Sequence, residues 1–383
     1  LSPNLDRHVV TAVLVAHDGA RWLPETLKAV LTQSRPVQRL VAVDTGSRDR
    51  GPAVLSEVVG DGNLLRLPRT TGYGEAVAEA LRHPAAVLPM ADGDSAGPRV
   101  EWVWLLHDDC APAHDALDHL LTAAETDPNN TVLGPKLRDW SDRRVLLEAG
   151  VSIDRAGRRW TGIEDGELDQ GQHDGVRDVL AVSTAGMLIR RDVWDDLGGL
   201  DLNFGLFRDD LDLGWRAHAR GHRVVAVTDA IAYHAEASAR GLRETGVTSE
   251  HGRRRDRRNA MYVLLANLPP AAMARAACRN VVGTLVRALF LVLVKQPAAA
   301  RDALGALGDV LRDPGRLRRA RAMRAHHRKR VHRSVKRFQP RRVALRRLIE
   351  HMATLLSPDS SGRHGAEEAE PGSGEPSLRR RLL

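Results

Sequence analysis

The chain has 383 residues, 43% of them hydrophobic, a net charge of +8, and two cysteines, Cys110 and Cys278. That length and apolar content suffice for one large domain with appendages or for two domains. Two cysteines exclude a disulfide-stapled scaffold and suit a reducing compartment. Fifteen Lys and Arg with no Asp or Glu fall between Arg316 and Arg347, so the basicity belongs to one segment and the rest of the chain is net acidic.

No secretory leader pattern precedes the first structured stretch, VVTAVLVA (9–16), which reads as a buried parallel strand. A turn at His17-Asp18-Gly19 leads into a helix over 22–32, with Pro24 in its first turn, where proline is tolerated. A second strand, 40–43, ends in Asp44-Thr45-Gly46-Ser47-Arg48-Asp49. A helix at 53–59, a short strand at 63–67 and a helix at 75–81 follow, the last preceded by Gly72 and Gly74. This β-α-β-α-β order argues for a doubly wound sheet.

Residues 88–99 read as a surface loop. The strand that follows, Trp102–Leu106, ends in His107-Asp108-Asp109. Carboxylates beside such an apolar run are costly to bury unless something pairs with them, and a divalent cation would. In a parallel α/β sheet, ligands collect beyond the carboxyl ends of the strands, where this tip belongs. A helix over 112–126, a strand over 131–137, a long polar Gly-rich excursion over 154–178 and a strand and turn over 179–190 come next. After a short helix at 192–197, the acids Asp209, Asp210 and Asp212 open another helix, where the macrodipole favours them. Asp212 and Arg216 have the spacing of a pair on one face. Strand residues 223–227 and 230–234 then deliver His234.

Each acid cluster alone has a purely structural role open to it. Asp44 and Asp49 can shape a turn and cap a helix, Asp209 and Asp210 can form a charged helix start, and His234 can be a hydrogen-bonded core histidine. Their joint order is more specific. The segments VVTAVLVAHDGARWLPETLKAVLTQ (9–33), VDTGSRD (43–49), LLHDDCAP (105–112), STAGMLIRRDVWDDLGGLD (183–201), FRDDLDLGWRAHARGHRV (207–224) and AYHAEA (232–237) resemble family-2 glycosyltransferases. In pattern they are closest to bacterial rhamnosyl- and galactofuranosyltransferase-like members.

The resemblance implies an α/β GT-A fold: a doubly wound mixed sheet flanked by helices, plus a helical, basic C-terminal region. It implies a nucleotide-diphosphate sugar donor, a divalent cation (Mg²⁺ or Mn²⁺), and a glycan or lipid-linked glycan acceptor of the cell envelope. Residue by residue, it implies Asp210 as general base with Asp209 before it, in an inverting displacement. Asp109, His234 and His107 are the implied metal ligands. Ala16, His17, Asp18, Asp44, Gly72, Gly74 and Asp108 are implied at the donor, and Gly186 and Trp215 at the acceptor or sugar loop. His107 stands where the family has an acid, so its role stays open between metal ligation, nucleotide contact and neither. That departure keeps a non-catalytic GT-A scaffold as the alternative. A nucleotidyltransferase is disfavoured by the lack of a Gly-rich, Arg- and Lys-bearing phosphate loop. No Gln-x-x-Arg-Trp motif follows 209–220, which points to single addition or to limited elongation by another mechanism.

The expected division is 1–242 for the transferase domain, 243–356 for the helical region and 357–383 for a disordered tail. The apolar run Val281–Val294 has 14 residues and includes Arg287, short for a span of roughly 20. It reads as a core or interfacial helix. The basic segment 316–347 suits an anionic membrane surface or an ordinary charged helix. Nucleic acid is not expected, because Phe338 is the single aromatic there. The expected place is the cytoplasm, peripheral at the inner face of the cell membrane.

Overall fold

The computed structural model describes residues 7–86, 99–243, 249–325 and 335–338. In chain order these form β1 (His8–Ala16), α1 (Leu23–Leu31), β2 (Arg39–Asp44), α2 (Gly51–Val59), β3 (Leu64–Arg66), α3 (Tyr73–Arg82), β4 (Val100–His107), β5 (Cys110–Pro112) and α4 (Ala116–Thr126). Next come β6 (Asn130–Asp139), β7 (Leu146–Glu148), β8 (Ser152–Ile153), β9 (Arg159–Trp160), β10 (Val176–Asp178), β11 (Leu188–Arg190) and α5 (Arg191–Leu197). The chain continues through α6 (Asp209–Arg220), β12 (Arg223–His234), α7 (Ala237–Arg240), α8 (Ser249–Asn267), α9 (Pro270–Leu293), α10 (Pro297–Leu311) and α11 (Pro314–Met323).

One mixed sheet runs β10-β12-β6-β11-β4-β1-β2-β3, with β5 paired to β12 and β7 to β6. Strands β1, β2, β3 and β4 are mutually parallel, and β11 enters antiparallel between β4 and β6. The continuous apolar runs follow from burial on both faces. Val10, Ala12, Leu14, Trp102, Trp104 and Leu106 meet Leu23 and Leu27 of α1 and Leu117, Leu120 and Leu121 of α4. The alternate residues Val13, Val15, Val103 and Leu105 meet Ala76 and Val77 of α3 and Val193 and Trp194 of α5. Period-two alternation thus feeds two cores from one strand.

A third core joins the sheet domain to the C-terminal helices. Val151, Phe204, Leu211 and Trp215 pack with Tyr262, Val263 and Leu264 of α8 and with Ala272 and Ala276 of α9. The described residues form one compact unit.

Three expectations differ in detail. The helix anticipated from residue 112 begins at Ala116, because Cys110–Pro112 is held by β12 as a strand. The segments 223–227 and 230–234 are one strand, irregular between Val227 and Ile231. The 154–178 excursion is anchored: it contains β9 and β10, and its Asp169 and Asp174 each lie 2.7 Å from the buried Lys136 ammonium. Its polarity reflects these ion pairs, which periodicity does not register. Residues 88–98, 326–334, 339–347 and the tail 357–383 lie outside the described residues.

Candidate active site

The parallel strands bring three acid-bearing tips to one edge. Ala16 is in register with Asp44, and Val15 with His107. The antiparallel pairing of β5 with β12 sets His234 opposite Cys110, and so beside Asp109. His107, Asp109 and His234 each offer a ligand atom within 4.8 Å of the other two.

Asp109 is buried, and its two oxygens differ. Oδ2 accepts the Ala237 amide at 2.8 Å. Oδ1 is buried with no hydrogen-bond donor, 3.4 Å from His234 Nε2 and 3.5 Å from Arg243 Nη2. Burial would raise the Asp109 carboxyl, but His234 and Arg243 outweigh it and hold it far below its ordinary value. His234 moves up, because the Asp109 charge more than offsets its burial. Burial and the neighbouring His234 push His107 down to about 3, so its imidazole is neutral and keeps a lone pair. Its Nε2 lies 3.0 Å from Thr184 Oγ1, and its ring meets Tyr73 edge-on. Asp109 Oδ1, held by His234 and Arg243 only at 3.4 and 3.5 Å, the neutral His107 and a His234 that would release its proton on binding form a set that fits a divalent cation, and its nitrogens suit Mn²⁺ better than Mg²⁺.

Asp108 faces a different partner. Arg243 grips it with Nη2–Oδ1 at 2.7 Å and Nη1–Oδ2 at 2.9 Å, and the His17 amide donates to Oδ2 at 2.8 Å. Burial raises its carboxyl against the pull of Arg243. An arginine of the chain itself thus offsets part of the cost of burying this acid. Arg243 also donates to the His17 carbonyl and lies over the Trp22 ring.

Around the first strand end, Asp18 adopts a left-handed backbone (φ 51°). It accepts from Arg69 Nη2 at 2.6 Å and the Arg48 amide at 2.7 Å. Burial opposes these bonds but does not prevent them from lowering its carboxyl. His17 Nδ1 contacts Thr45 Oγ1 at 2.9 Å. Asp44 accepts from the Gly46 and Ser47 amides at 3.1 and 3.2 Å, so it shapes the turn after β2. The Ala16 carbonyl is taken by the Thr45 amide at 3.0 Å.

The second acid group opens α6. Arg208, in left-handed geometry at φ 72°, ends the preceding loop and pairs with Asp256 of α8 at 2.5 and 2.7 Å. Asp209 and Asp210 follow, both buried. Arg159 of β9 bridges Asp210 Oδ2 and Glu148 Oε2, each at 2.5 Å. Glu148 also accepts the Ser183 amide at 3.1 Å. A polar path therefore runs from Asp210 through Arg159, Glu148 and Ser183-Thr184 to His107. Burial and the Asp210 charge push Asp209 up to about 7. Burial also raises Glu148, against the pull of Arg159.

Other expected site residues lie elsewhere. Trp215 is corrected: it is 2% exposed inside the third core, so it cannot line an acceptor loop. Gly74 sits within α3, and a Cβ there would meet Leu200 Cβ at 3.0 Å. A Cβ at Gly72 would meet Gly205 Cα at 2.9 Å. Each of these glycines is thus required by a close approach to a neighbouring protein segment. Gly186 turns at φ 105° beneath His107's partner Thr184, and a Cβ there would lie 2.7 Å from Pro135. Sequence reasoning missed Arg159, Glu148, Thr184, Arg69 and Arg243. Arg243 falls one residue past the expected domain limit, and Arg159 lies in a stretch without periodicity.

The family model described as glycosyltransferase like family 2 matches residues 7–256. The N-acetylglucosaminyl-diphospho-decaprenol L-rhamnosyltransferase of Mycobacterium tuberculosis is 28% identical over 275 residues, covering 68% of this chain and 84% of that one. The O-antigen biosynthesis protein RfbC of Myxococcus xanthus is 30% identical over 129 residues, 32% of this chain and 10% of that one. The mannosyltransferase PcManGT of Pyrobaculum calidifontis, solved with GDP-Man and Mn²⁺, is similar in fold with a TM-score of 0.46 and 16% identity, over 85% of this chain and 86% of that one. The family match spans every strand of the sheet and both acid groups, and on that ground the chain belongs to glycosyltransferase family 2, as a nucleotide-sugar-dependent transferase of the GT-A fold.

Proposed function

We propose that the chain is a metal-assisted inverting glycosyltransferase that adds one deoxyhexose or hexose to a lipid-linked glycan at the cytoplasmic face of the cell membrane. The observation that carries the metal-assisted reading is the buried, undonated Oδ1 of Asp109 between two histidines. The relative that acts as an N-acetylglucosaminyl-diphospho-decaprenol L-rhamnosyltransferase supports a deoxyhexose and a lipid-linked acceptor.

In this reading His107, Asp109 and His234 hold the cation. When bound, it neutralises the charge that builds on the departing diphosphate. Arg243, held by Asp108, the His17 carbonyl and Ser238, adds a positive charge at the same edge, favourable to a diphosphate. The turn built by Asp18, Asp44, Arg48 and Arg69 supports the nucleoside. Across the site, Asp210 takes the proton of the acceptor hydroxyl as its oxygen bonds to the anomeric carbon. The bond from that carbon to the diphosphate breaks from the opposite side, so configuration inverts. Arg159 and Glu148 hold Asp210 in place. Asp209, raised to about 7, is partly protonated near neutrality, which lessens the charge beside Asp210.

Transfer assays with a panel of nucleotide sugars and a prenyl-diphosphate glycan acceptor, with and without Mn²⁺, test the proposal. Turnover that needs Mn²⁺ and is lost in both Asp109→Asn and Asp210→Asn is expected. Full turnover in either variant contradicts the assigned roles.

A further inference from the structure

The active site leaves one extended surface without a use, the outer face of α9. Val282, Leu285, Val286, Leu289, Val292 and Leu293 are each more than half exposed. Their three- and four-residue spacing places them on one stripe. The opposite side of the helix is spent on packing: Ala272 and Ala276 join the third core, and Ala288 and Leu291 pack with Ala300 of α10. Small residues inside and large aliphatics outside invert the usual order of a soluble surface helix. An apolar stripe of this size on a monomer marks an interaction surface.

Charge selects the partner. From Pro270 to Arg301 the chain holds Arg275, Arg279, Arg287, Lys295 and Arg301 and no acid. Two copies meeting through this face would bring like charges together, whereas an anionic lipid surface complements them. With 24 residues, α9 is the one helix among the described residues long and apolar enough to cross a membrane. Its inner face is committed to α8 and α10, and it carries three arginines. A helix so placed lies along the interface, its apolar side in the headgroup–acyl boundary. Arg279 of α9 also hydrogen-bonds the Arg155 carbonyl, in the loop that leads to Arg159 and so to Asp210.

We propose that α9 docks the enzyme on an anionic bilayer by inserting the Val282–Leu293 stripe, which holds the Arg159 loop near lipid-borne acceptors. The sequence alone offered the basic segment 316–347 for an anionic surface and left Val281–Val294 as a core or interfacial helix, and the exposed stripe favours the interfacial place. The preference for a bilayer over a second copy rests partly on the lipid-linked acceptor of the proposed function.

Flotation of the full chain with vesicles of phosphatidylcholine and phosphatidylglycerol tests this, with pure phosphatidylcholine as control. Cys278 lies on the same stripe and is exposed, while Cys110 is buried, so a polarity-sensitive dye reports from one position. The expected results are flotation with the mixed vesicles, a blue shift of the dye, and about tenfold weaker partitioning of Leu285→Ser/Leu289→Ser with unchanged thermal unfolding. Equal flotation of wild type and double variant overturns the proposal. So does a lack of vesicle binding with a dimer, seen by sedimentation, that the double variant dissolves. Flotation involves no transfer reaction, so it can fail while glycosyl transfer stands, and the reverse.

Discussion

Arg159 Nη1 lies 2.5 Å from Asp210 Oδ2, although the two are 51 residues apart in the chain. The contact ties a polar excursion with no periodicity to the first turn of α6. It also distinguishes the two adjacent acids: Asp210 faces a cation shared with Glu148, while Asp209 accepts from backbone, the Asp210 amide at 3.1 Å.

If Arg159 positions Asp210, Arg159→Gln lowers kcat by about 10- to 100-fold and leaves the donor KM nearly unchanged. Arg159→Lys restores part of the rate, since it keeps the charge and loses the fork. Initial-rate kinetics read the split. A raised donor KM with unaltered kcat would place Arg159 at the donor instead.

Asp209 and Asp210 respond oppositely to amidation. Asp210→Asn costs about 10²- to 10⁴-fold in transfer, the usual range for a lost general base. Asp209→Asn keeps transfer within about tenfold, because the native side chain is already partly protonated near neutrality. The folded-state value of about 7 lies above the ordinary carboxylate range, so stability from Asp209 is full at low pH and is lost as pH rises through about 7. Asp209→Asn is therefore neutral at pH about 3, below the ordinary carboxylate value, and stabilising by about 4 kcal/mol at pH about 8. Urea unfolding at both pH values checks this.

Asp212 supplies the opposite pH dependence. It is fully buried and accepts from Arg216 at 2.7 Å, Arg324 at 2.9 Å and Asn267 at 2.7 Å. Burial works to raise it, but Arg324 and Arg216 bring it down to about 2. Its contribution is present above the ordinary carboxylate value and is lost as pH falls through about 2. Asp212→Asn is expected to cost about 3 kcal/mol at neutral pH and to flatten acid unfolding below pH about 4.

Arg243→Ala removes both guanidinium bonds from Asp108. Calorimetry should show nucleoside diphosphate binding weakened about tenfold or more, with nucleoside monophosphate little affected. Equal loss for both nucleotides would show that Arg243 supports the strand end rather than the second phosphate.

Much of the fold was legible because its signals are local. The two-faced burial of β1 and β4 writes itself as unbroken apolar runs, and Leu117, Leu120 and Leu121 mark the inner side of α4. The Asp212–Arg216 pair followed from its spacing. The proximity of His107, Asp109 and His234 was legible through strand ends and motif order. What stayed hidden depends on long-range pairing. Nothing near Arg159 announces Asp210, and nothing near Arg243 announces Asp108. Trp215 stands close to the acids in sequence, yet helical geometry turns it into the core. Gly72 and Gly74 signal close approach without saying to what.

The central claim is that His107, Asp109 and His234 form a cation site that holds the donor diphosphate. Electron paramagnetic resonance of Mn²⁺ titrated into the full chain with a nucleoside diphosphate tests it most directly. One tightly held ion in the wild type, weakened about 100-fold or more by Asp109→Asn, is the predicted result. Equal Mn²⁺ binding by wild type and Asp109→Asn would contradict it.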